Sequence, residues 1–144
     1  MSVRTLAADV KVQFALLGGL GSGRFREVSE QERQQREAAM EKVIKIYEEK
    51  LPVACGEGED LGSWVQEKAI AAMFILGTYK FARFMLCSPR ENDSAVGLLN
   101  ERRDFMEEGE ALFLRVISLS EGNLKERAEQ YLRGGPRMMF EQIN

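Results

Sequence analysis

From Ala69 to Gly77 the chain reads AIAAMFILG, nine residues without a polar side chain, inside a proline-free stretch from Trp64 to Cys87. A helix that is apolar all round has no face to offer water and belongs at the centre of a bundle. Ala69, Ala72 and Gly77 are small enough to let neighbouring helices approach closely. The cap is expected at Asp60, or at Ser63 answered by Gln66. The helix should stop by Cys87, before Pro89, with Lys80 and Arg83 where it emerges from the core.

The rest of the chain supplies partners for such a centre. Ser29 followed by Glu32 is a capping-box pair, and a helix is predicted from there to Lys50, ahead of Pro52. Its first half, EQERQQRE, is polar on every side and is expected to face solvent or a partner. Its second half places Met40, Val43, Ile44, Tyr47 and Leu51 on one face. A further helix is predicted over 94–121 with a seven-residue repeat, Leu98, Phe105, Leu112 and Leu119 beside Leu99, Met106 and Phe113. That spacing holds a seam in register with a neighbour. Gly109 lies on the seam and marks either close packing or a bend. Gly122 should close this helix. A short last helix, 124–133, is expected with Asn123 as its cap and Glu126 answering it. The fold class is all-α, a small bundle of about four helices.

Residues 1–28 are read as a flexible segment ahead of a 29–133 bundle domain, with 134–144 as a C-terminal arm. The first segment is ambiguous. Val10, Val12, Phe14 and Leu16 alternate like a strand, while Leu6, Val10, Phe14 and Leu17 fit one helix face. The glycine-rich run from Gly18 to Gly23 then reads as a loop.

Composition removes several chemistries. The 144-residue chain has no histidine. Histidine-based nucleophile activation, histidine-ligated zinc and histidine pH switching are therefore excluded. The formal charge is -3, which provides no general attraction to nucleic acid. Residues 92–122 hold seven acids against three arginines, and residues 1–28 hold four bases against two acids. Such asymmetry suits head-to-tail contact between copies, and equally suits ordinary solvated faces. Cys55 and Cys87 stand outside any CxxC and read as reduced thiols of a cytosolic protein. The charges at Asp9 and Lys11 argue against a signal peptide. No run of 18 uncharged apolar residues predicts a membrane span.

The remaining motifs are poor chemistry. Gly18-x-x-x-x-Gly23 has the glycine spacing of a phosphate-binding loop, but Arg24 and Phe25 stand where Lys and Ser or Thr are needed. Glu107-Glu108-x-Glu110 and Glu48-Glu49 read as solvated helix faces, not as acids converging in a pocket. Arg24, Arg26, Lys80, Arg83 and Arg90, with Phe25, Phe81 and Phe84 between them, could stack on bases. Phe81 and Phe84 read more simply as core. No catalytic residue, metal or cofactor is expected.

The features left over are the two ends. Met138, Met139, Phe140 and Ile143 follow Gly134-Gly135-Pro136. Apolar residues on a short arm require burial somewhere, on this domain or on a neighbour, and methionine adapts to irregular grooves. The partner-binding residues expected are these four, together with Leu20, Arg24 and Phe25 of the glycine loop.

The order of elements over residues 29–121 resembles the small all-helical head–tail connector proteins (neck adaptors or head-completion proteins) of tailed bacteriophages. The likeness lies in a helix ending Tyr47-x-x-x-Leu51-Pro52-Val53, then an alanine-rich helix bearing Ala69, Ala71, Ala72 and Tyr79, then a second long helix and a short one. The glycine loop before Ser29 and the polar first half of that helix depart from the pattern. The resemblance implies a non-enzymatic subunit of the virion neck, assembled in the host cytoplasm. It implies a homo-oligomeric ring, often of twelve copies, between a portal protein and a tail or neck protein. DNA would pass through without specific binding, and no membrane is involved. The alternative from the residues alone is a helical regulatory or adaptor domain that binds one partner protein in a groove.

Overall fold

The computed structural model describes residues 2–19, 23–54, 56, 59–86 and 95–137. The protein is all-α. Its helices are α1 (Val3–Gly19), α2 (Glu30–Lys45), α3 (Glu59–Leu86), α4 (Ala95–Leu119) and α5 (Asn123–Arg133), with no strand among the described residues. The chain forms two compact units, Met1–Met73 and Phe74–Asn144, divided within α3. The small all-α bundle expected from sequence is what the chain forms, with its helices divided between these units. The 28-residue α3 contributes to both, its residues up to Met73 to the first unit and those from Phe74 to the second.

In the first unit, residues 1–28 are mainly helix rather than a flexible segment. Ser2 starts α1, its Oγ accepting from the Thr5 N–H at 3.2 Å. Val3, Leu6, Ala7, Val10 and Gln13 form its buried face. This i, i+3, i+4, i+7 spacing is that of a helix, and the strand reading fails because two of its four residues, Val12 and Leu16, are more than half exposed. Gly18 and Gly19, read as loop, are the last turn of α1. Against α1 packs α2, whose Met40, Val43 and Ile44 are buried with Ala39. Ser29 caps α2 as expected, accepting from the Glu32 N–H at 3.2 Å. Glu32 turns its carboxylate to Arg36. After Lys45 the chain widens into a π turn, Ile46–Lys50, closed by the Leu51 N–H on the Ile46 carbonyl, and a 3-10 turn, Leu51–Val53, carries Pro52. From α3, Val65, Ala69, Ala72 and Met73 are fully buried.

The polar first half of α2 is divided: Glu30, Gln31, Gln34 and Gln35 face solvent, and its arginines turn inward. Arg33 Nε donates to the Phe25 carbonyl at 3.0 Å and Arg33 Nη2 to that of Arg26 at 2.9 Å. Arg36 Nη1 donates to the Gly23 carbonyl at 2.8 Å. Arg36 and Glu37 are buried. Two guanidinium groups therefore tie down residues 23–26 ahead of α2 by donating to their backbone carbonyls.

The second unit is built on rings. Phe81 and Phe84 of α3 are buried, as are Met106, Gly109, Phe113 and Val116 of α4. Among the described side chains the seam is thus the Met106–Phe113 row; Phe105 and Leu112 of the other row are half-buried and Leu119 is exposed, while the side chains of Leu98 and Leu99 lie outside the described ones. A Cβ placed on Gly77 would lie 2.9 Å from the Phe113 ring, and one on Gly109 would lie 2.5 Å from the Phe81 ring. Each helix thus lays a phenylalanine over a glycine of the other. Gly109 marks close packing. Gly109→Ala, which in an open helix would gain about 1 kcal/mol, is expected here to destabilise by about 1–3 kcal/mol through overpacking. Urea unfolding of the variant checks the sign.

The helix boundaries shift in two places. α3 starts at Glu59, ahead of both expected caps, with the acids Glu59 and Asp60 in the turn where the helix dipole favours negative charge. α4 ends at Leu119, and Gly122 stands instead at the cap position of α5 with φ 91°, a backbone conformation suited to glycine. Asn123 is then the first helical residue rather than the cap. The acid-rich loop residues Cys55, Glu57 and Gly58 lie outside the described residues, as do Cys87 and the cap expected at Asn92–Ser94.

Candidate functional site

The first unit leaves an apolar surface open on the outer side of α1. The same 3.6-residue repeat that buries Leu6 and Val10 turns Val12 and Leu16 to solvent, 53% and 52% exposed. Two hollows, each about 360 Å³, meet at Leu16. One is lined by Val12, Ala15, Leu16 and Gly19 along α1. The other lies between α1 and α2, lined by Gln13, Leu16, Gln35, Ala38, Ala39 and Lys42. Its described lining combines small alanines of α2, the amides of Gln13 and Gln35, and one charged residue, Lys42. A hollow of this size and composition accepts apolar side chains, and its described lining residues include no carboxylate, thiol or hydroxyl.

The glycine run lacks the strand that a phosphate loop requires, because α1 precedes it. Gly23 gives its carbonyl to Arg36. Of the basic and aromatic residues, Phe81 and Phe84 are core, and Lys80 pairs with Glu108 at 3.2 Å and lies over the Phe105 ring. Glu110 receives Arg137 through two hydrogen bonds of 2.7 and 2.8 Å. Among the described residues no cluster of acids and cysteines could hold a metal ion. By length and hydropathy alone α3 could cross a membrane, and 56% of its most apolar window is buried inside the protein, as in the core helix of a bundle.

Of the expected partner-binding residues, Arg24 is exposed. Phe25 is instead buried in its own unit, 8% exposed, in the short 3-10 turn Phe25–Glu27 that Arg33 holds. Leu20, Met138, Met139, Phe140 and Ile143 lie outside the described residues. The sequence reading missed the groove. Its signal was present: Leu6, Val10 and Phe14 on one helix face leave Val12 and Leu16 on the other, with nothing polar to cover them.

No protein-family model matches this chain, and neither a curated protein nor a solved structure is significantly similar to it.

Proposed function

We propose that this protein is a non-enzymatic assembly subunit, a ring component of a tailed-phage neck that joins the portal vertex of the head to the tail. The observation that carries an assembly role is the groove at Leu16, an open apolar surface bordered by amides and one lysine. The order of α2, α3 and α4, and the Tyr47-to-Val53 turn that ends the first of them, support the connector form of that role. Contacts between unlike surfaces of identical subunits close into rings when the rotation allows, and the opposite charge balance of residues 1–28 and 92–122 suits such contacts. The same groove favours a second reading, a helical adaptor that receives one partner protein.

Mass measurement with electron microscopy separates the two. A connector forms closed rings, alone at high concentration or on its portal. An adaptor stays a monomer or dimer and binds its partner one to one. Shortening the chain tests the arm, and the cut belongs after Arg137, because Pro136 is buried and Arg137 is held by Glu110. Loss of residues 138–144 is expected to leave the unfolding midpoint unchanged and to abolish assembly. A fall in the midpoint would mean that these residues belong to the core.

A further inference from the structure

We propose that residues 138–144 of one copy occupy the groove beside Leu16 on a second copy, making a head-to-tail contact. This rests on the assembly reading above and names the two surfaces that meet. The occupant is argued from its chemistry. Four of the seven residues, Met138, Met139, Phe140 and Ile143, are apolar, and the one charged side chain among them is Glu141. The groove is the complement: apolar lining from Leu16, Ala38 and Ala39, amides at Gln13 and Gln35, and the cation Lys42. Unbranched methionines fill irregular hollows of this kind, and Glu141 is matched in sign to Lys42.

The place where the segment begins is also defined. Arg137 forms a two-point ion pair with Glu110 of α4, so the chain leaves from a fixed position on the second unit. Seven extended residues reach at most about 25 Å from it. The donor is thus a short segment rooted on one unit and the acceptor is a groove on the other. Exchange between copies uses both surfaces of every subunit except at the ends of a chain of copies, and a closed ring leaves none unused.

Two full-length variants test this. Leu16→Asp spoils the groove and leaves the tail intact; Leu16 is half exposed, so the fold tolerates the change, and circular dichroism verifies it. Phe140→Asp spoils the tail and leaves the groove intact. Mass is measured by light scattering at about 100 µM, where a contact of micromolar strength is nearly saturated. The unaltered chain should self-associate, and each variant alone should be a 16.3 kDa monomer. A mixture of the two should give a species of twice that mass and nothing larger, since only one good tail and one good groove remain. A monomeric unaltered chain, variants that associate as it does, or a mixture that stays monomeric would each overturn the proposal. The heterodimer would still form if the phage-neck reading failed, because no portal is needed for it.

Discussion

Phe113→Ala is expected to remove about 3–5 kcal/mol of stability, a large share of the 5–15 kcal/mol typical of a folded domain. Phe113 is fully buried. Its ring stacks on Tyr131 at 4.9 Å and meets Phe81 at 4.9 Å and Phe74 at 5.5 Å edge-on. It also fills the space over Gly77. Truncation would open a cavity bounded by three other rings and a helix backbone, none of which can collapse into it cheaply. Leu114→Ala is the control: its side chain is 57% exposed, and the change should stay within about 0.5 kcal/mol. Paired urea melts decide the matter. Equal losses for the two variants would mean that the ring cluster is not the core of the second unit.

Arg36→Met is expected to cost about 1.5–3 kcal/mol, the range for hydrogen bonds made by charged groups. The methionine keeps an apolar stem of similar shape but leaves the Gly23 carbonyl without its donor and Glu32 without its cation. The side chain is only 8% exposed, so water does not simply replace what is lost. The effect should concentrate in the segment from Gly23 to Val28. Trypsin should cut after Arg24 and Arg26 sooner in the variant than in the unaltered protein. Unchanged cutting there would show that Arg36 does not secure the segment.

The sequence was most legible where a residue's role depends on its immediate neighbours. The apolar run of α3 and the Ser29 cap follow from local pattern, whereas Gly109 was open between close packing and a bend until the Phe81 ring was seen against it. It was less legible where the partner is distant or carries no side-chain signal. Arg33 and Arg36 look like solvent-facing residues because what they bind is backbone carbonyl, the same at every position. α1 was ambiguous because Val10 and Phe14 satisfy a period of two and a period of four alike. Only packing against α2 separates Leu6 and Val10, which are buried, from Val12 and Leu16, which are not. The division into two units was hidden for a related reason. An apolar helix declares that it is buried but not how many cores it serves.

The groove followed from the same helix period once α1 was in place, and the whole functional account depends on its being a docking surface. Hydrogen exchange at low and high protein concentration tests this most directly. Amides of residues 12–19 and 35–42 are expected to gain protection as the chain associates, while those around exposed Leu114 stay unchanged. Association that protects the Leu114 face and leaves the Leu16 groove exchanging as before would contradict the account.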